Sequence, residues 1–152
     1  MMSPAPQIKS FRANLTPNAP VRPQIRALVV SGDLEIRKPL LRTLESLKVD
    51  VVSCGRRLQA QEALSKSSFN VVFCDEHLPD GSYLDLIRGD DWGNKIPRVV
   101  VTTRNGDWDL YFQALAKGAF DVIRCPCYAT DVEMMLIRVL REDQNSGLSM
   151  VE

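Results

Sequence analysis

Residues 73–81, FCDEHLPDG, place a carboxylate where an apolar run ends. Residues 70–74 have the β-branched, apolar character of a buried strand, and Asp75 follows them directly, ahead of a Leu-Pro-Asp-Gly turn. In parallel sheets, ligands collect at the carboxyl ends of the strands. Asp75 is therefore the first candidate for chemistry, and the neighbouring strand ends decide what that chemistry is.

Short β-branched segments alternate with segments of helical spacing, which predicts βα units and a parallel sheet. We predict strands at residues 27–31, 50–54, 70–74, 98–102 and 120–124. We predict helices after each strand: one capped by Asp33, then residues 58–65, 83–88, 107–117 and 130–141, the last capped by Thr130 with Glu133. Right-handed crossovers make this a doubly wound α/β sheet.

The residues just past the predicted strands form the candidate site. They are Ser31, Gly32 and Asp33 after the first strand, Asp75 after the third, Thr102 and Thr103 at the fourth, and Cys125 after the fifth. They are expected to meet at one edge of the sheet.

Length and composition restrict the class of protein. The chain has 152 residues, enough for one domain with a core of its own. Lys plus Arg and Asp plus Glu number 19 each, so bulk charge favours neither nucleic acid nor a membrane surface. Without a long apolar run or a secretory signal pattern, we expect a cytoplasmic protein with four reduced cysteines.

Three segments differ in composition. Residues 1–25 hold five of the nine prolines, three basic residues and no acids, as in a flexible tail. Residues 26–143 are the predicted domain, and residues 144–152 are a short polar C-terminal tail. Since no output domain follows in this sequence, we expect output through protein contacts of the domain itself.

Four motifs, by their order and spacing along the chain, resemble the receiver domain of response regulators, the CheY-like family. They are Asp75-x-x-Leu78-Pro79-x-Gly81, the apolar strand ending in Thr102, Gly118-Ala119-x-Asp121 followed by Pro126, and Glu35-Ile36-Arg37. The resemblance covers residues 26–143. It implies a flavodoxin-like (βα)5 fold with strand order 2-1-3-4-5. By analogy with the family it also suggests a cis bond between Cys125 and Pro126, which the sequence alone does not determine.

The resemblance also assigns five functional positions. Asp75 stands at the phosphoacceptor and Thr102 at the hydroxyl that binds the phosphoryl group. The acidic pair that holds Mg²⁺ is replaced by Ser31 and Gly32, the lysine by Cys125, and the switch aromatic by Val122.

These replacements remove the charges on which phosphoryl transfer depends. We therefore predict an atypical receiver that signals through protein contacts without Mg²⁺-dependent phosphorylation, and we expect Mg²⁺ only if phosphorylation is retained. In the alternative, Asp75 is still slowly phosphorylated, with Asp33 and Arg104 as substitutes. Asp33 is more simply read as the helix cap; it and Asp75 are the metal candidates that the pocket offers.

A second alternative is a thiol-based redox or metal-responsive module around Cys125 and Cys127. His77, Cys125 and Asp75 make a conceivable metal site, although an exposed His77 is the simpler expectation, as are buried Cys54 and Cys74. An enzyme is not expected, since no glycine-rich phosphate loop is present.

Candidate partner surfaces come from the aromatic and apolar residues of the last helices. Trp108 and Tyr111 suit a partner surface, Phe112 and Leu115 suit the core, and Trp92 suits a cover for the sheet edge. The last helix has more apolar residues than one core stripe needs. The resemblance implies that the face formed by the fourth helix, fifth strand and fifth helix binds a histidine kinase, an output protein or a second copy of the chain.

Overall fold

The computed structural model describes residues 24–87 and 97–151, with side chains up to Asp143. Of the predicted N-terminal tail only residues 24 and 25 fall in these ranges. Trp92, Arg88 and the side chains of residues 144–152 lie outside the described residues.

Five parallel strands form the sheet, in the spatial order β2-β1-β3-β6-β7. In chain order they are β1 (Arg26–Val30), β2 (Asp50–Cys54), β3 (Val71–Asp75), β6 (Val99–Thr103) and β7 (Asp121–Arg124). This confirms the predicted doubly wound sheet and its order 2-1-3-4-5. A two-residue antiparallel pair, β4 (His77–Leu78) and β5 (Gly81–Ser82), was not predicted and closes the turn after Asp75.

Helices cover both faces of the sheet. They are α1 (Leu34–Ser46), α2 (Arg57–Lys66), α3 (Tyr83–Ile87), α4 (Trp108–Ala116) and α5 (Ala129–Val151). Alternate residues of β1 divide between two cores: Ala27 and Val29 pack with α1 and α5, while Leu28 and Val30 pack with α2, α3 and α4. Because β3 and β6 are buried along their whole length, the carboxyl edge above them is held rigidly.

The starts of the helices are fixed by side chains from the loops. Asp33 caps α1 as predicted, its carboxylate accepting the Glu35 N–H at 2.9 Å. The cap of α2 comes from another element: Asp80, in the β4–β5 turn, accepts the N–H groups of Arg57 and Leu58 at 2.6 and 3.1 Å. The carboxylate thus satisfies two donors that α2 itself leaves unpaired.

The predicted cap of the last helix is wrong. The helix begins at Ala129, so Thr130 lies inside its first turn, and the Tyr128 N–H donates instead to the Asp131 carboxylate at 2.9 Å. The helix also continues to Val151, past its predicted end at residue 141.

Two backbone features complete the frame of the site. Gly118 closes α4 with φ of +109°, a conformation that favours glycine, and the Cys125–Pro126 bond is cis. Within residues 24–87 and 97–151, none of the helices combines the length and apolar character needed to cross a bilayer.

Candidate functional site

Asp75 lies at the carboxyl end of β3, between β1 and β6. Its backbone pairs with Thr102 of β6, and its neighbour Cys74 pairs with Val30 of β1. The side chain of Asp75 is buried, with 5% of its surface exposed. The sheet order therefore brings Ser31, Asp75 and Thr102 together at one edge, as the sequence predicted.

Three donors bind the Asp75 carboxylate. The Thr102 hydroxyl donates to Oδ1 at 2.7 Å, while the Ser31 hydroxyl and the Gly32 N–H donate to Oδ2 at 2.9 and 3.1 Å. The carboxylate is thereby bonded to both strands that flank it. The Ser31 hydroxyl oxygen also accepts the Asp33 N–H at 3.2 Å, and the Asp33 carbonyl, 3.0 Å away, is the alternative acceptor for its single hydrogen.

Burial is the main influence on the ionisation of Asp75. It raises the pKa of the carboxyl group, and the hydrogen bonds from Thr102, Ser31 and Gly32 offset only part of that rise. The negative charge of Asp33 raises the pKa further. In the described chain Asp75 has no ion-pair partner, so its charge is stabilised by neutral donors alone.

The two proposed substitutes for the missing charges bind each other. Arg104 donates from Nε to Asp33 Oδ2 at 2.8 Å and from Nη1 to Glu35 Oε1 at 3.0 Å. With Asp33 Oδ1 engaged in the helix cap, both of its oxygens are occupied. Glu35, which the sequence did not single out for this role, completes a link between the β6–α4 loop and the start of α1.

Cys125 directly follows β7, at the same carboxyl edge of the sheet as Asp75. Its side chain is buried in the core with Val132 and Met135, and its N–H donates to the Thr103 carbonyl at 2.7 Å. Arg124 is exposed, on the other side of the chain from Cys125, as alternation predicted. Val122, at the switch position, is half-buried and packs against the core on the side of the sheet that α2, α3 and α4 cover.

The thiols of Cys125 and Cys127 are in contact. A hydrogen bond from the Cys125 S–H to the Cys127 sulfur raises the pKa of Cys125, and burial raises it further. The same hydrogen bond lowers the pKa of Cys127, against the opposing effect of its burial. Cys127 is half-buried and is the more easily ionised thiol of the two. All four cysteines are free; Cys74 is buried, as expected, and Cys54 only half-buried.

The conceivable metal site of His77, Cys125 and Asp75 does not form. The His77 side chain is 83% exposed and approaches Glu76 at 3.5 Å. Across residues 24–87 and 97–143, no three His, Cys, Asp or Glu side chains are placed to share a metal ion.

The outer surface of α4 is aromatic. Trp108 and Phe112 are 73% and 60% exposed, so the assignment of Phe112 to the core was wrong; Leu110 and Ala114 face the sheet instead. On α5, Met134 and Ile137 are exposed, which confirms that its apolar residues exceed one core stripe. Beside them is a groove of about 320 Å³ lined by Val122, Ile123, Arg124, Asp131, Met134, Met135 and Arg138.

Comparison with characterised proteins gives relatives in sequence. No family model matches the chain. It is 36% identical over 101 residues to the response regulator protein PilR of Pseudomonas aeruginosa, covering 66% of this chain and 23% of that protein. It is 34% identical over 102 residues to the swarming motility regulation protein RssB of Serratia marcescens, covering 65% and 45%. The chain thus spans less than half of the length of either relative.

Solved structures share the fold. The signal receiver domain of a LuxO repressor protein from Vibrio parahaemolyticus superimposes with a TM-score of 0.71 at 22% identity, covering 83% of this chain and 97% of that one. A CheY-like response regulator receiver domain from Methanospirillum hungatei gives 0.71 at 19% identity, covering 82% and 99%. The sheet and helices described above therefore have the same fold as these receiver domains.

Proposed function

Because this chain carries a response-regulator receiver domain of the CheY-like fold, we propose that it signals through protein contacts without Mg²⁺-dependent phosphorylation of Asp75. The observation that carries the proposal is the state of the Asp75 carboxylate. Both oxygens are bound by neutral donors, and the positions of the acidic pair and the lysine hold Ser31, Gly32 and Cys125. Mg²⁺ binds oxygen-rich sites, usually with carboxylates, and an aspartyl phosphate adds about two negative charges.

The first test is the intact mass of the protein after incubation with acetyl phosphate and Mg²⁺. We expect no phosphoryl adduct, because no basic side chain among residues 24–87 and 97–143 is paired with the Asp75 carboxylate. An Asp75→Asn variant serves as the control, and circular dichroism establishes that both proteins are folded. An adduct on the wild-type protein alone would overturn the proposal.

Slow phosphorylation of Asp75 is the competing function, and the link between Asp33, Glu35 and Arg104 gives it a distinct signature. Arg104 must leave both carboxylates to reach a phosphoryl group, and Asp33 must give up its ion pair to bind a metal. Under that competing function, Arg104→Ala and Asp33→Asn each remove the adduct, whereas Glu35→Gln, which removes one of the two ion pairs of Arg104, increases it.

For the contact surface we propose the face of α4, β7 and α5, called the docking face below. Exposed Trp108 and Phe112 on α4, Met134 and Ile137 on α5, and the groove beside β7 support it. Aromatic and methionine side chains are enriched in protein interfaces. A histidine kinase, an output protein or a second copy of the chain are its candidate partners.

A redox response is a second candidate function, supported by the contact between the thiols of Cys125 and Cys127. The Cys127 thiolate would attack a hydroperoxide, breaking its O–O bond, releasing an alcohol or water and forming a sulfenic acid. The Cys125 thiol would then attack that sulfur, closing a disulfide and releasing water. Two thiols are oxidised and one peroxide is reduced.

We expect stoichiometric peroxide to reduce the mass of the protein by two hydrogen atoms, in a manner that dithiothreitol reverses. Cys127→Ser removes this change, because the more easily ionised thiol is absent. Cys54→Ser, which replaces a half-buried cysteine on β2, leaves it intact. Equal oxidation of the Cys127→Ser variant, or a disulfide that includes Cys54, would exclude this function.

A further inference from the structure

Three aromatic side chains on α4, Trp108, Tyr111 and Phe112, form a continuous surface that we call the aromatic patch. The Trp108 and Phe112 rings stack at 5.8 Å with 24° between their planes. Tyr111 meets both rings edge-on, at 5.8 Å from Trp108 and 5.4 Å from Phe112. Since Trp108 and Phe112 are mostly exposed, the patch presents rigid apolar area to solvent, as binding surfaces do.

The rim of the aromatic patch is acidic. Asp107 and Asp109 flank Trp108 in sequence, and both are exposed. Asp107 accepts the Leu110 N–H at 2.8 Å as the cap of α4, while Asp109 lies in the first turn. The patch therefore fits a ligand that is apolar on one side and carries a positive charge.

The chain itself contains such a ligand in residues 17–23, PNAPVRP. Pro17, Pro20 and Pro23 recur every three residues, the repeat of a polyproline II helix, which would place all three on one edge. Arg22 supplies a positive charge, and residues 1–23 contain no acid. Proline-rich segments with this spacing bind to exposed aromatic surfaces, because their extended backbone loses little entropy on binding.

We propose that the aromatic patch binds residues 17–23 of a second copy of this chain, with Arg22 against the acidic rim. The inference rests on the proposed docking face, since α4 is part of that face, and it names the occupant. If each chain of a pair offers both its tail and its patch, the exchange is two-fold symmetric and provides two identical contacts.

A chain cannot place this whole segment on its own patch. Pro23 precedes Gln24 and β1, at the amino edge of the sheet, whereas Trp108 opens α4 at the carboxyl edge. The two sites differ by the length of a strand, by two strand spacings and by the sheet-to-helix distance, each in a different direction. The straight-line separation is therefore roughly 20 Å. From Ile25, Arg22 and Pro23 reach about 10 Å at most. Binding of the whole segment, with Arg22 at the acidic rim, therefore requires a second copy of the chain.

The test measures self-association of the full chain by sedimentation velocity over a range of concentrations. We expect the wild-type protein to dimerise and the triple substitution Pro17→Ala, Pro20→Ala and Pro23→Ala to weaken dimerisation about tenfold or more. Trp108→Ala has the same effect. Leu58→Ala, which removes a 62% exposed apolar side chain on α2, leaves it unchanged and is the matched control.

A peptide of residues 14–24 tests the contact directly. We expect it to shift the indole N–H resonance of Trp108 in the ¹⁵N-labelled protein and to compete with dimerisation. Asp109→Arg weakens the dimer, and combining it with Arg22→Glu restores it, since the charges are exchanged.

Two results would overturn the inference: a peptide that does not shift the Trp108 resonance, or a triple proline variant that associates as the wild type does. If Trp108→Ala nevertheless abolishes association in that case, the docking face stands with a different occupant. If neither variant changes association or partner binding, the docking face fails as well.

Discussion

We expect Asp75→Asn to raise the free energy of unfolding by about 1 kcal/mol at pH 7, and Asp75→Ala to lower it by about 2 kcal/mol. An asparagine keeps one carbonyl oxygen for Ser31 and Gly32, and its amide group donates to the Thr102 hydroxyl oxygen. It also removes a buried charge. Alanine leaves the Thr102 hydroxyl and the Gly32 N–H without their acceptor. Urea unfolding of the three proteins measures both differences.

The advantage of asparagine depends on pH with a definite sign. Burial raises the pKa of Asp75 above the value of about 4 that it has in the unfolded chain. The stability from protonating it is fully present below the unfolded pKa and is lost as pH rises through the folded pKa. The difference between wild type and Asp75→Asn therefore grows as pH rises through the folded pKa and disappears below about pH 4. A difference that grows on acidification would contradict the assignment.

Restoring the missing charges is expected to produce the largest functional change. In a variant with Ser31→Asp, Gly32→Asp and Cys125→Lys, two carboxylates join Asp75 in a Mg²⁺ site and an ammonium group faces it. Each charge-assisted contact contributes roughly 1.5–3 kcal/mol, so three together speed phosphoryl transfer from acetyl phosphate by about a thousandfold or more. Intact mass against time measures the rate.

The design of that experiment follows from local geometry. A Cβ at Gly32 lies 3.1 Å from Pro79 Cδ, so the turn must shift slightly, and thermal unfolding checks that the variant is folded. Adding Asp75→Asn to the triple variant must abolish the adduct. A folded triple variant that remains unphosphorylated would show that the three replacements are not what silences the pocket.

Much of this molecule followed from sequence patterns. The alternation of apolar strands and helices predicted the five-stranded sheet, with each strand placed to within one residue, because buried parallel strands are continuously apolar. The sheet order then brought Ser31, Asp75 and Thr102 together. The antiparallel pair of β4 and β5 was not predicted, because each strand has two residues, too few for a periodic pattern.

The ends of α5 and the partners of Arg104 could not be predicted, because the sequence is compatible with more than one residue in each role. Thr130 was the predicted cap of α5, but the helix begins one residue earlier, at Ala129, and the Asp131 carboxylate accepts the Tyr128 N–H. The polar character of residues 144–152 favoured an earlier end for α5, but polar residues and a single glycine each cost a helix no more than about 1 kcal/mol. Arg104 follows the fourth predicted strand, where several carboxylates are within its reach. The sequence therefore could not predict that it pairs with Asp33 and Glu35.

The cap of α2 has a consequence for synthesis of the protein. The helix occupies residues 57–66, but the carboxylate that binds its first N–H groups belongs to Asp80, in a turn formed later along the chain. While the ribosome has added only the residues of α2, the helix lacks its N-terminal partner and the strand that follows it. We therefore expect α2 to become stable only after β3 and the turn that contains Asp80 have been synthesised.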